Sequence, residues 1–453
     1  MILATKIAVA RAAGSLSRRG GRGGTSLPGK LLMRLEPDAM ARLSGRLRDG
    51  SSVISATNGK TTTAAMVAAI LEGAGERLVH NRAGANMAGG VTTALLHAAR
   101  GRGIDADAGL FEVDEFWLDQ VVPQLRPRAL LLSNLFRDQL DRYGELETIA
   151  DRWAAAVAAA PDTRLVLNAD DPLVADLGRD RAGVTYFGVQ DDGVALAGMA
   201  HASDSKTCRR CGAAYVYDAV YMGHLGRYHC PNGDGPRPQP GVWASEIALD
   251  GTRAAAFALH IGGERARVAL PLPGLYNVYN ALGAAALAHA LGIELGAIVT
   301  GLQATRAAFG RAETVRIGGR DLTIMLVKNP AGANEVLRTL ALDAGEHDVF
   351  AVLNDRTADG HDVSWIWDAD FEAVAERVRR VTCSGTRAAE LALRLKYAGV
   401  AAERLHVVPG LEAGLDAALD SGNGRLVALP TYTAMLDLRE LLVARGAAEG
   451  SFA

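Results

Sequence analysis

The residues from Ser51 to Thr63 constrain the fold of this chain more than any others. The short apolar run Ser51-Ser52-Val53-Ile54-Ser55 leads through Ala56 into Thr57-Asn58-Gly59-Lys60-Thr61-Thr62, and helix-forming residues follow at once. A strand that ends in such a turn and continues as a helix presents backbone N–H groups, and the positive end of the helix dipole, to an anion. Gly59 permits the turn, Lys60 can reach terminal phosphates, and Thr61 offers a hydroxyl to Mg²⁺. Ile54 stands where the general phosphate-loop pattern has its first glycine, which implies a shorter variant of the loop. The competing reading is a Gly/Asn turn ahead of an ordinary helix.

Apolar runs at 53–55, 78–80, 109–113, 129–132 and 164–167 alternate with helical patterns over 62–72 and 146–159. This alternation predicts a mostly parallel, doubly wound sheet. Ligands of such sheets bind at the carboxyl ends of the strands, where Asn58, Glu112 and Asn134 all fall. From about 200 to 240 the character changes to cysteines, paired glycines and prolines, which reads as an inserted subdomain. Past Ile317 the alternation restarts. A strand over 322–327, a helix to about 342, a strand over 348–353, a helix near 372–379 and a further series to 442 predict a second, Rossmann-like domain. The expected organisation is a basic N-terminal arm at 1–49, an ATP-binding domain at 50–314 carrying the insert, and the Rossmann-like domain at 315–453.

The chain has 453 residues, 49% of them hydrophobic, which is enough for two or three domains with cores. A net charge of −3 gives no reason to expect nucleic-acid binding, and no run approaches the roughly 18 apolar residues of a membrane span. The first fifty residues are nevertheless strongly basic. Arg18-Arg19 is followed by glycines rather than an apolar stretch, so export is not expected. The arm reads as an amphipathic helix packed on the next domain, or as a contact with an anionic membrane surface. Four cysteines in so long a chain do not form a disulfide scaffold and suit a reducing cytoplasm.

Among candidate site residues, Glu112 ends an apolar strand and supplies the hard carboxylate oxygen that would join Thr61 on Mg²⁺; Glu115 is the alternative ligand. Asn277 and Asn280 open a helix, where they serve either as capping groups or as nucleotide contacts. Cys208, Cys211 and Cys230 have the spacing of thiolates on two zinc knuckles, with His224, His229, Asp234 or water as the fourth ligand. Cys383 reads as a packed core thiol. Nowhere does a cysteine stand on a nucleophile elbow, so no cysteine here reads as a catalytic nucleophile.

The loop Ala56-Thr57-Asn58-Gly59-Lys60-Thr61-Thr62 resembles that of the Mur ligases and folylpolyglutamate synthases. The likeness continues through His80-Asn81-Arg82, Glu112-Val113-Asp114-Glu115, Asn134 to Tyr143, Asn168-Ala169-Asp170-Asp171-Pro172, Tyr276-Asn277-Val278-Tyr279-Asn280 and Phe309-Gly310-Arg311. Lys328-Asn329-Pro330-Ala331-Gly332-Ala333-Asn334, Asp359-Gly360-His361-Asp362-Val363-Ser364-Trp365 and the cysteine insert resemble the MurT family, the ligase subunits of lipid II isoglutaminyl synthases. The resemblance implies a Mur-ligase-type doubly wound ATPase domain with a zinc-ribbon-like insert, followed by a C-terminal Rossmann-like α/β domain. It implies ATP, Mg²⁺ and Zn²⁺, and amidation of the D-glutamate α-carboxyl of lipid II to D-isoglutamine through an acyl phosphate. It also implies ammonia from a GatD-like glutaminase in a heterodimer, and a cytoplasmic site of action, with the inner face of the membrane as a second location. On residues, it implies that Thr57 to Thr62, Asn277 and Asn280 bind nucleotide, that Arg311 reaches the phosphates, and that Asp362 completes the partner's triad across the interface. Three positions depart from the wider Mur pattern. Gln139 replaces a metal-binding histidine, no lysine falls between Tyr143 and Leu167 for carbamoylation, and Lys328 precedes Asn329-Pro330 where amino-acid-adding ligases have an aspartate and a histidine. The rival expectations are a ligase that adds an amino acid and a nucleotide-binding scaffold without turnover.

Overall fold

The computed structural model describes residues 3–19, 26–81, 85–138, 146–198, 204–205, 207–306, 310–420, 422 and 424–448. Strand Ser51–Ser55 lies inside a nine-stranded sheet, between Ala108–Glu112 and Ala129–Leu132, both parallel to it. Leu78–His80 closes one edge, and Arg164–Asn168 and Thr185–Val189 extend the parallel run on the other side. Alternate residues of the central strands feed two cores. Ile54, Leu110 and Leu131 face helices Lys60–Gly73 and Leu275–Ala290, whereas Val53, Phe111, Leu130 and Leu132 face Ala88–Ala98, Leu118–Leu125 and Leu146–Ala158. This period-2 division is what a sheet covered on both faces requires.

Three antiparallel strands, Val242–Asp250, Ala254–Ile261 and Glu264–Leu270, complete the sheet and were not read from the strand–helix alternation. Their turn signals are in the sequence: Asp250-Gly251 and Gly262-Gly263 sit at the two reversals, with φ above +45° at Gly251, Gly262 and Gly263. The insert contains the hairpin Val216–Met222 and Leu225–His229, turning at Gly223.

The second sheet has six strands in the order Arg311–Ile317, Arg320–Met325, Arg425–Pro430, His347–Val352, Val378–Ser384 and Leu405–Val407. It starts at Arg311, ahead of the expected domain boundary at 315, so Arg311 belongs to the first strand of the C-terminal sheet. The helix expected over 372–379 stops at Ala375. Val378 and Val381 instead enter a buried parallel strand beside His347–Val352, where β-branched residues pack well. Cys383 lies on that strand, fully buried, its thiol pushed up to about 12 by burial. It is a core thiol.

The basic arm folds as helices Leu3–Arg19, Leu27–Leu35 and Ala39–Ser44 that bury Leu3, Ile7, Leu32, Met40 and Leu43 against the first domain. Gly29 makes this packing possible, because a Cβ there would stand 1.9 Å from the Gly89 carbonyl oxygen. No helix among the described residues is long and apolar enough to cross a membrane.

Candidate active site

The turn after Ser55 is held from several directions. Asn134, just past strand Ala129–Leu132, accepts the Asn58 N–H at 2.9 Å and donates to the Asn58 carbonyl at 3.0 Å, and the Thr57 hydroxyl accepts the Phe136 N–H at 3.1 Å. Thr57 and Asn58 therefore shape the loop. Gly59 caps helix Lys60–Gly73 with φ +86°, and a Cβ there would lie 2.0 Å from the Asn280 side-chain oxygen. Both the left-handed backbone and the close approach demand glycine.

Lys60 is buried, donating to Glu115 at 2.6 Å and to the Ala56 carbonyl. Burial disfavours its ammonium, but Glu115, Asp114 and Glu112 outweigh that cost and raise its pKa above the ordinary lysine value. For Glu115, burial raises and Lys60 lowers the pKa, with Lys60 and Lys328 prevailing. Asp114 is pushed up by burial and by Glu115. Glu112 is positioned by its main chain: its N–H donates to Asn81 Oδ1 at 3.0 Å, and Asn81 Nδ2 returns a bond to its carbonyl at 2.8 Å.

Thr57 to Thr62, Glu112, Asn280 and Arg311 line one cavity of about 380 Å³ where the two domains meet. Burial lowers the pKa of Arg311 while Glu112 supports its charge, and its Nη1 is buried without a hydrogen-bond partner among the described residues. A buried guanidinium N–H without an acceptor, facing a helix N-terminus, a lysine and a carboxylate, is the donor set for a phosphate chain with Mg²⁺. The residues present fit that group. Asn277 does not line the cavity. Helix Leu275–Ala290 is capped by Gly274, so Asn277 sits inside the first turn rather than at the cap, donating to the Pro273 carbonyl at 2.7 Å and accepting from Asn280 at 3.0 Å. It holds Asn280, which faces the cavity.

The C-terminal domain closes the cavity with residues that sequence reading had not assigned. Asn58 and Asn329 exchange side-chain bonds at 3.2 and 3.0 Å, while Lys328 pairs with the buried Asp138. Asn329 also caps helix Pro330–Ala341 by accepting the Gly332 N–H at 2.8 Å, and an Asn-Pro pair ahead of a helix was the one sequence signal for it. Asp138 and Lys328 also line a smaller cleft, of about 60 Å³, with Asp362, Ser364, Trp365 and Asp368. Asp362 is exposed and accepts the Ser364 N–H at 2.8 Å, which holds its carboxyl below the usual range. Asp359 instead turns inward to the Thr433 N–H at 2.8 Å. Gln139 and Tyr143 lie outside the described residues.

The sulfur atoms of Cys208, Cys211 and Cys230 converge within 4.8 Å of one another in the insert, and none of the three lines the cavity above. Burial opposes ionisation of Cys208, yet bonds from the Cys211 and Arg210 N–H groups and from Tyr215 keep its pKa below that of a free thiol. Three converging thiols with N–H donors aimed at a sulfur fit Zn²⁺. Among the described residues no histidine or carboxylate joins the cluster. His229 faces Asp218 at 3.7 Å, and His224 is buried against Phe136 and Asp171.

Residues 54–232 match the Mur ligase middle domain, and residues 326–435 match the MurT ligase C-terminal family. Over 94% of its length this chain is 33% identical to the lipid II isoglutaminyl synthase (glutamine-hydrolyzing) subunit MurT of Streptococcus pneumoniae, covering 93% of that protein. The chain belongs to the MurT family. A MurT subunit of Staphylococcus aureus is 32% identical, with 97% of each chain covered. The fold agrees with that of a pseudomurein peptide ligase type C from Methanothermus fervidus, at a TM-score of 0.66 and 22% identity over 89% of this chain and 80% of that one. The family places the chain among ligases of the Mur type, with the two α/β domains and the order of motifs expected from the sequence.

Proposed function

We propose that this MurT-family chain is the ATP-dependent ligase subunit that amidates the α-carboxyl of D-glutamate in lipid II, giving D-isoglutamine. The observation that carries this reading is the single cavity in which Gly59 to Thr61, Glu112 and Arg311 meet across two domains. A carboxylate is a poor electrophile, and transfer of a phosphoryl group to it creates the leaving group that ammonia can displace. Lys60 and Arg311 hold and neutralise the phosphates, and the helix N-terminus at Lys60 adds its N–H groups. Thr61 and Glu112 would hold Mg²⁺, which supplies charge neutralisation during the transfer. The burial of Lys60 and Arg311 excludes water and strengthens these interactions.

The ammonia comes from a GatD-like glutaminase, since this chain carries no cysteine elbow of its own, and Asp362, exposed and oriented by the Ser364 N–H, orients the partner's histidine. The complex works at the inner face of the membrane, where lipid II is reached. With ATP, lipid II and ammonium, the purified pair should release phosphate and form amide in equal amounts. Phosphate release without amide, or amide formed only with an amino acid as acceptor, would overturn the reading.

Cys208, Cys211 and Cys230 hold a structural Zn²⁺ that takes no part in the reaction. Elemental analysis of protein purified without chelator, with its thiols confirmed as reduced, should find up to about one zinc per chain. Cys211→Ser should release it. Absence of zinc from the unmutated protein would mark a ribbon that has lost its metal.

A further inference from the structure

Beside its polar groups the ligase cavity is lined by the apolar Met222, Tyr276, Ala331 and Val336, and the carboxyl of Glu335 stands beside Val336. Glu335, on helix Pro330–Ala341, is 5% exposed, and its Oε2 is buried with no hydrogen-bond partner among the described residues. A buried polar atom of this kind costs stability unless a ligand satisfies it. Arg338, one turn along, does not satisfy it, because its guanidinium donates at 2.8 Å to the carbonyls of Tyr221 and Val194.

We propose that Glu335 meets the base of the nucleotide, its buried carboxyl facing the edge of adenine that carries the exocyclic amine and the adjacent ring nitrogen. This assignment rests on the reading of the cavity as an ATP site and adds to it a residue that contacts the base. The phosphate cradle fixes the ligand at Gly59 to Thr61, and the apolar groups in the same cavity supply the surface a purine needs. A neutral carboxylic acid offers an acceptor and a donor side by side, which complements the amine and ring nitrogen of adenine. The surroundings keep Glu335 neutral far above the ordinary carboxylate range: burial pushes its pKa up to about 7, against the weaker pull of Arg338. The titratable groups facing it are Arg338 on its own helix and Tyr276 on the helix opposite.

The test is calorimetric titration of the full chain with non-hydrolysable analogues of ATP and of purine riboside triphosphate, which lacks the exocyclic amine. At pH about 6 the unmutated chain should prefer the ATP analogue by on the order of tenfold or more, the discrimination of a good two-point base contact. Its affinity should then fall about tenfold as the pH rises to about 8, because ionisation removes the donor. Glu335→Gln keeps an acceptor and a donor in place and should keep ATP binding while losing the pH dependence. Glu335→Leu should lose the preference for ATP, with binding of the purine riboside analogue less changed. Equal weakening of both nucleotides in Glu335→Leu, or a pH dependence that persists in Glu335→Gln, would overturn the assignment and leave the ATP site standing. Failure of the unmutated chain to bind either nucleotide would overturn both.

Discussion

Lys60→Ala is expected to lower ATP-dependent amidation by on the order of 10² or more, the loss typical of removing one preorganised electrostatic group. The structure adds a second consequence. Lys60 is the buried partner of Glu115, with Asp114 and Glu112 close enough to support its charge, so its removal leaves Glu115 without its hydrogen-bonded cation and only the weaker pull of Lys328. Breaking such a pair by deleting one member typically costs about 3–5 kcal/mol. The variant should therefore melt earlier than the unmutated chain when free of nucleotide. Its stability should also fall as the pH rises above about 4, the ordinary glutamate value, because Glu115, no longer held low by Lys60, ionises less readily in the folded chain than in the unfolded one. Lys60→Ala, Glu115→Gln removes the stranded charge and should recover much of the stability and none of the activity. Amidation within a few-fold of the unmutated rate in either variant would remove Lys60 from the phosphate site. Recovery of activity in the double variant would make the pair structural.

Asp362→Asn should divide the two nitrogen sources. The asparagine carbonyl can still accept the Ser364 N–H, so the turn that begins Ser364–Asp368 survives, and only the charge is lost. If that charge stabilises an imidazolium in a partner glutaminase, glutamine-dependent amidation should fall by up to about 10⁴ while amidation from high ammonium persists. Assay of the reconstituted pair with each source, after checking that the variant still copurifies, decides the matter. Equal loss with both sources would assign Asp362 to the ligase site, which the shared wall of Asp138 and Lys328 makes a real competitor. Activity unchanged with both would leave it as a turn-forming acid.

The strand, the turn at Gly59 and the helix after it were legible because their signal is local: Gly59, Lys60 and Thr61 are consecutive, and the flanking strand and helix announce themselves by periodicity. Glu112 was legible for a related reason, ending an unbroken apolar strand beside the loop. The role expected of Arg311 came from likeness to the Mur ligases: the Gly318-Gly319 turn shows that its strand pairs with Arg320–Met325, but not that the strand begins at the cavity. Glu335 could not be singled out at all. A glutamate on a helix is ordinary, and only the packing of that helix against Tyr276 and Met222 buries it. The antiparallel strands 242–270 were missed although their glycine turns were visible, because attention to strand–helix alternation passes over consecutive strands. The zinc-like cluster shows the limit from the other side. The three thiols could be named from spacing, but whether His224 or His229 turned toward them was a question of side-chain direction, and neither does.

The Asn58–Asn329 exchange and the Lys328–Asp138 pair do more than shape a wall, because they join the loop at Asn58 and the segment at Asp138 to the two residues that lead into helix Pro330–Ala341. A ligand that moves the loop at Asn58 would therefore act on the placement of that helix as well. The segment 359–368, which carries Asp362, rides on the same C-terminal domain and borders the same ion pair. Any protein that engages this segment better in the closed arrangement must tighten nucleotide binding by the factor by which nucleotide tightens its own docking. On the proposed function, ATP in the ligase site and a nitrogen donor docked on this segment would strengthen or weaken each other's binding by the same factor.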